Sequence, residues 1–193
     1  MSNYREPRLL ELTLKTIVVH TITYFLMGLL AFNLLHYAEA YVTGALAGYM
    51  RPTTDRWVMA GPLFQPIRGI VFALAFYPLR SVLFGKKNGW LIMWWVLVAL
   101  GILSTFGPAP ASIEGVIYTQ LPFPGWRDYV EIVPQAFLLS GILFYWVEHP
   151  EKKLLSWLLG IVFVLFMLFP ALGLIVTDPA GAASSVGAHN MLR

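Results

Sequence analysis

Two pairs of polar residues in the sequence are spaced so that they could bind an anion within a membrane. Gln65 and Arg68 lie three residues apart, and Glu131 and Gln135 lie four apart. Either spacing places two side chains on the same face of a helix. A guanidinium group binds phosphate or carboxylate through paired hydrogen bonds, so Arg68 predicts a site for an anionic group. A charge at membrane depth is a functional candidate for which a partner is expected.

Three further residues are predicted on the same side of the membrane as Arg68. His36 and Glu39 lie at the outer end of the first apolar segment, and Glu114 lies in the long loop before the fourth. Together with the two pairs they predict a polar pocket that opens to the outside, with Glu131 or Glu39 as the counter-ion of Arg68. The competing interpretation is that all of them are ordinary interfacial residues and that the arginine extends its side chain to the headgroups.

Metal and haem sites receive weaker support from the sequence. His36 and Glu39 are donor types that bind zinc, manganese or iron, but their spacing alone is a weak signal. His20 and His149 could ligate a haem from two helices, although a single membrane histidine more often bonds to a neighbouring side chain. The sequence has no cysteine and none of the common nucleotide-binding or hydrolase motifs. We therefore expect no metal and no cofactor, while enzymatic activity stays open.

The composition indicates an integral membrane protein. The chain has 193 residues, of which 58% are hydrophobic and only 12% charged, and its mean hydropathy is +0.69. A soluble domain has roughly 25% charged residues. The length suits one helical bundle without a separate soluble domain. The basic residues are spread over loops, which indicates membrane orientation rather than nucleic-acid binding.

Five apolar segments of about 18–23 residues predict helices that cross the bilayer. Because lipid cannot satisfy open backbone groups, we predict an all-α, polytopic membrane bundle. Residues 1–177 are predicted to form this single domain, with a short interfacial helix before Thr16 and an outer loop at 108–128. Residues 178–193 are predicted to form a mobile tail after it. The predicted spans are residues 16–36, 62–84, 90–107, 129–147 and 154–176.

Lysine and arginine positions predict the orientation. With the N-terminus in the cytoplasm and the C-terminus outside, every lysine falls on the cytoplasmic side. Eight of the 13 lysine and arginine residues then lie inside and four outside, while Arg68 lies within the membrane. We accordingly predict a multi-pass protein of the cell inner or plasma membrane.

Three classes of function fit these patterns. The first is a binding or accessory membrane component whose outer pocket engages a lipid headgroup, a peptide or a partner membrane subunit. The second is a membrane-embedded enzyme on an amphiphilic substrate, in which Glu131 or His36 would act as general base. The third is a small oligomeric transporter or channel, which is less favoured because the third and fifth segments have almost no polar lining. The bilayer is an expected partner, nucleic acid is not, and an oligomer stays open.

Overall fold

The computed structural model describes residues 6–44, 46–121 and 123–176, and it is all-helical over these residues. Four helices in this part of the chain are long and apolar enough to cross a membrane, and a fifth apolar helix is shorter. In chain order we call them the first to fifth helices. Their bounds are Leu9–Leu34, Gly61–Leu83, Gly89–Leu103, Trp126–Glu148 and Lys153–Leu174.

The first helix begins earlier than the sequence analysis predicted. Among residues 6–15, which the structure describes, there is no separate interfacial helix, because the first helix runs without a break from Leu9. No proline interrupts this segment. The early charges are also accommodated, since Lys15 is only 9% exposed and its Nζ donates to Glu11 Oε1 at 2.6 Å and to the Trp146 carbonyl at 3.2 Å. Compared with the predicted span at 16–36, the helix therefore starts seven residues earlier.

The second helix lies directly against the backbone of the first. A Cβ atom added to Gly69 would lie 2.6 Å from Ile17 Cα, so only glycine allows this approach. The helix starts with a 3-10 turn, Gly61–Phe64, and has another at Tyr77–Leu79. Each turn contains a proline, which removes one backbone donor and disturbs regular α-helical bonding. The predicted span at 62–84 matches this helix to within one residue at each end.

The third helix is shorter than its predicted span at 90–107. It is α-helical over Gly89–Val98, continues as a π-helix over Ala99–Leu103, and stops at Ser104, whose backbone is not helical. A proline-containing stretch follows, which cannot continue a helix. Fifteen residues reach about 22 Å, against a hydrocarbon layer of about 30 Å. Five spans therefore stay a prediction, and four long apolar helices are what the described residues contain.

The buried core lies where the first, second and fourth helices meet the ends of the third and fifth. It is formed mainly by aliphatic and aromatic side chains. Its buried members include Leu12, Val19, Phe76, Leu83, Phe84, Met93, Leu139, Leu143, Trp146 and Leu159.

Short helices connect the main ones. The predicted outer loop at 108–128 contains one of them, which begins where Ser112 accepts a hydrogen bond from the Gly115 backbone at 3.0 Å. Their bounds are Tyr37–Ala40, Arg56–Met59 and Ile113–Tyr118.

The predicted orientation rests partly on residues that the structure does not describe. Arg5, Arg193 and the predicted mobile tail at 178–193 lie outside the described residues. The cytoplasmic N-terminus and the external C-terminus therefore remain predictions, as does the single domain at 1–177.

Candidate functional site

A cavity of about 380 Å³ lies among the first four helices. Its volume falls within the range of about 300–1,000 Å³ that is usual for small-molecule sites. The wall is mostly apolar, with a few polar side chains contributed by different helices. Residues from the first, second and fourth helices and from the loop after the third supply these groups. The polar lining residues are His20, Arg68, Thr105 and Gln135.

Arg68 lines the cavity and has no acidic partner within the described residues. Its Nη1 donates to Gln65 Oε1 at 3.3 Å. Its guanidinium carbon lies 6.0 Å from the centre of the Tyr24 ring and 5.9 Å from that of Phe72. No salt bridge to this arginine forms among the described residues, so the predicted ion pair with Glu131 or Glu39 is not formed. The cation is therefore held by an amide and by aromatic rings, and its charge is not neutralised.

Gln65 connects Arg68 to His20. Its Nε2 donates to the Gly61 carbonyl at 3.0 Å, which leaves Oε1 to face His20 Nε2 at 3.1 Å. Because an amide oxygen can only accept, the proton of His20 belongs on Nε2. Nδ1 is then an acceptor, and it is buried without a hydrogen-bond partner among the described residues. Buried polar atoms normally have a partner, so this nitrogen could accept a hydrogen bond from a bound group.

His20 was predicted only as a weak haem ligand and not as part of the pocket. In the structure the first and second helices are antiparallel, and they pair His20 with Gln65 and with Phe72, whose ring centre lies 4.8 Å from that of the histidine. The first helix starts at Leu9, so His20 lies near its middle. No local signal in the sequence pairs these two helices in this register.

The loop after the third helix contributes to the cavity wall. Thr105, Ala109 and Pro110 line it together with Gly101 and Ile102 of the π-helical turn. Isolated π-turns within α-helices occur frequently at functional sites. Non-helical backbone at membrane depth is tolerated where it lines a cavity or is buried in protein. The end of the third helix and the loop thus form one wall of the site.

Glu131 lies outside the cavity lining, although its neighbour in the predicted pair, Gln135, belongs to it. The carboxylate accepts a hydrogen bond from the Tyr37 hydroxyl. Burial and this hydrogen bond both raise the pKa of Tyr37, which keeps the phenol protonated as a donor. A Cβ on Gly28 of the first helix would lie 3.8 Å from Glu131 Oε1. Glu131 therefore joins the first and fourth helices near the predicted outer surface.

The other predicted site residues are not brought to the cavity. His36 and Glu39 are exposed and belong to the turn after the first helix, where His36 has a left-handed backbone with φ 50°. Glu114 is half-buried on the short helix of the outer loop. None of these three is among the cavity-lining residues. The gathering of Arg68, Gln65 and Gln135 is thus the part of the predicted set that the structure assembles.

The histidines proposed as haem ligands have different environments. His20 bonds to Gln65, whereas His149 stacks on Tyr145 and its Nδ1 lies 2.9 Å from the Tyr145 carbonyl oxygen. Within the described ranges there is also no group of three or more His, Cys, Asp or Glu residues able to hold a metal ion. The chemistry that the cavity offers is therefore hydrogen bonding and charge attraction. Comparisons of this chain with protein-family models, curated proteins and solved structures give no match.

Proposed function

We propose that this protein is a membrane-embedded binding or accessory component whose cavity holds the anionic head of an amphiphilic molecule. The observation that carries the proposal is Arg68, a cation without an acidic partner among the described residues, at the edge of a mostly apolar cavity. An uncompensated charge at membrane depth is costly and usually marks a binding site or pathway. An anionic ligand would supply the missing counter-charge.

The remaining groups of the cavity suit such a ligand. Gln65 and the aromatic rings of Tyr24 and Phe72 hold the guanidinium in place but leave most of its five N–H donors available. Gln135 offers a further amide group, and His20 Nδ1 can accept a hydrogen bond from a ligand O–H, such as that of a singly protonated phosphate. The rest of the wall is apolar and matches a hydrocarbon chain. A phosphate or carboxylate attached to an apolar chain satisfies both parts.

The enzyme alternative has less support from the geometry. Its proposed general bases were Glu131 and His36, and neither lines the cavity. Glu131 is bonded to Tyr37, and His36 is exposed on a turn beyond the first helix. A catalytic base must come within hydrogen-bond reach of the group from which it takes a proton. Binding requires only the contacts that are present.

Native mass spectrometry in a neutral detergent would test the proposal, with phosphatidic acid as the probe. We expect the wild type to retain bound phosphatidic acid and Arg68→Gln to reduce its apparent affinity by about 10- to 100-fold, since a hydrogen bond to a charged group contributes about 1.5–3 kcal/mol. Phosphatidylcholine is the neutral-headgroup reference and should bind more weakly than phosphatidic acid to the wild type.

Arg80→Gln is the matched control, because it removes an arginine from the same helix outside the cavity. Circular dichroism and gel filtration establish that each variant is folded. Arg68→Lys, which keeps the charge but loses the forked donors, should give an intermediate affinity. Equal affinity of wild type and a folded Arg68→Gln would overturn the proposed function.

A further inference from the structure

We infer that the ligand is a lipid of the surrounding bilayer, which reaches the cavity sideways between the second and third helices. This inference rests on the proposed function, because it concerns the same cavity and the same arginine. It adds the class of ligand and the direction of access. The argument depends on which helices pack together, which lining residues are exposed, and what covers the cavity toward the predicted outside.

The second and third helices each pack on a different neighbour. The second contacts the first through Gly69, where the two backbones touch. The third contacts the fourth, as shown by Trp94 Nε1 donating to the Val133 carbonyl at 3.3 Å and by the edge-to-face rings of Trp90 and Phe137 at 5.3 Å. The cavity lies between the second and third helices. Val71 and Phe72 of the second helix are on one side of it, and Leu97 and Gly101 of the third are on the other. It is therefore a cleft between two helices, with the first and fourth helices behind it.

Exposure within the lining shows on which side the cleft opens. His20 and Leu139, on the first and fourth helices, are 1% and 3% exposed. Val71 of the second helix is 60% exposed, and Arg68 and Gly101 are exposed as well. The exposed lining residues thus belong to the two helices on either side of the cleft. Side chains on the flanks of membrane helices face the lipid, so the opening faces the bilayer.

The loop after the third helix covers the cleft toward the predicted outer surface. Ala109 and Pro110 line the cavity, and hydrogen bonds hold the loop in place. Thr105 Oγ1 donates to the Gly107 carbonyl at 2.7 Å, and the Tyr129 hydroxyl donates to the Ala111 carbonyl at 3.0 Å. A soluble anion would have to pass this loop or cross lipid to reach Arg68. A lipid with an anionic headgroup is already beside the opening and can keep its chains in the bilayer.

Photo-crosslinking in liposomes tests this route, with a phosphatidic acid that carries a diazirine in one acyl chain. We expect labelled peptides to contain the exposed mouth of the cleft, on the second helix around Val71 and on the third around Gly101. Gly101→Phe should lower this labelling at least fivefold, because a Cβ at Gly101 meets no atom within 4 Å, so the backbone leaves room for a side chain, and a phenyl ring at this exposed lining position would narrow the mouth.

Gly141→Phe is the control for this substitution. A Cβ at Gly141 also meets no atom within 4 Å, but this glycine is not part of the cavity lining. Its labelling should remain within twofold of the wild type. A second experiment adds inorganic phosphate at millimolar concentration and measures the same labelling. If Arg68 binds water-soluble anions, phosphate would displace the lipid and lower the labelling, whereas labelling of a site reached only from the bilayer should not change.

The outcomes separate this inference from the proposed function. If Arg68→Gln abolishes labelling and Gly101→Phe also lowers it, both hold. Suppose that Arg68→Gln abolishes labelling. If the folded Gly101→Phe variant then labels as well as the wild type, or if phosphate displaces the lipid, the lateral route is overturned while anion binding stands. If folded Arg68→Gln leaves labelling unchanged, the proposed function itself fails.

Discussion

Arg68 and Arg80 lie twelve residues apart on the same helix but have opposite surroundings. Arg80 Nε lies 2.9 Å from Glu6 Oε2, its Nη1 donates to the Tyr77 carbonyl at 3.0 Å, and its guanidinium lies 4.4 Å from the centre of the Tyr77 ring. Arg68 has an amide oxygen at 3.3 Å and more distant rings, but no carboxylate among the described residues. Arg80 is therefore neutralised by a carboxylate, whereas no described residue neutralises Arg68.

The same contrast extends to the two ends of the bundle. At the predicted cytoplasmic end, Lys15 is also paired, with Glu11, and the Glu148 carboxylate accepts from the Gly85 backbone at 2.6 Å. Charges there serve helix packing and connection. At the cavity, Arg68 and His20 bond to the neutral amide of Gln65 and not to an acid, and one buried acceptor, His20 Nδ1, has no partner within the described part of the chain. The charged groups at the predicted cytoplasmic end thus have charged or backbone partners, whereas Arg68 has no acidic partner among the described residues, which is the basis of the proposed anion site.

The strongest way to disrupt the cavity side of this contrast is Gly69→Ala. The added Cβ would lie 2.6 Å from the backbone of Ile17, so the first and second helices must separate. We expect a loss of about 1–3 kcal/mol in unfolding free energy, as for overpacked cores, together with weaker lipid binding. Gly141→Ala is the control, since its Cβ meets open space and should be neutral or slightly stabilising. Unfolding in mixed detergent followed by tryptophan fluorescence measures both, and equal stability of the variants would contradict the close contact.

Val71→Glu should make Arg68 resemble Arg80. Val71 lines the cavity mouth three residues after Arg68, so a glutamate there can pair with the guanidinium on one helix face. We expect phosphatidic acid affinity to fall about 10- to 100-fold, because the ligand loses its charge partner. Val71→Gln has nearly the same shape without the charge and should bind the lipid at least fivefold better than Val71→Glu. Native mass spectrometry of the two variants decides this, and equal affinities would count against a charge-based site.

Tyr37→Phe tests whether Glu131 belongs to the fold or to the cavity. It removes the hydroxyl that donates to a half-buried carboxylate, so we expect a loss of about 1–3 kcal/mol in unfolding free energy. Gly28 lies beside Glu131 and marks its level on the first helix. It is eight residues, or about 12 Å along the helix, from His20, which lines the cavity. Lipid affinity should therefore stay within twofold of the wild type. A larger drop in affinity would place Glu131 in the binding site after all.

Glu6→Gln should have the smallest effect. It leaves Arg80 without its carboxylate, but both side chains are partly exposed, at 32% for Arg80 and 44% for Glu6. We expect at most about 1 kcal/mol of lost stability. It should also create no new phosphatidic acid site, because no part of the described cavity lining surrounds Arg80. Acquisition of a second bound lipid would show that an unpaired arginine is sufficient for binding and that the cavity is not required.

Much of the fold could be read from residue order, whereas the site could be read only in part. Long apolar runs can be placed without knowing their neighbours, because each helix satisfies its own backbone in lipid. Two helix boundaries differ from their predictions. Lys15 lies inside the first helix, where Glu11 of the same helix and the Trp146 carbonyl bind it, and the third helix ends at Leu103, four residues before its predicted end and ahead of a proline-containing stretch.

The site residues divide in the same way. Arg68, Gln65 and Gln135 were recognised because polar groups are rare at membrane depth. Glu39 and Glu131 were wrongly expected to pair with the arginine, since the sequence does not show that a tyrosine beyond the first helix binds Glu131.

The sequence by itself determined that this is an all-helical chain with helices able to span a membrane, and that an arginine lies within one of these apolar helices. Hydropathy and helix length are local properties, so they do not depend on how the helices are arranged. Only the tertiary structure decided that Arg68 meets His20 and Gln135 across a cavity and meets no acid among the described residues. That outcome depends on the register between helices, which Gly69 sets by letting two backbones touch.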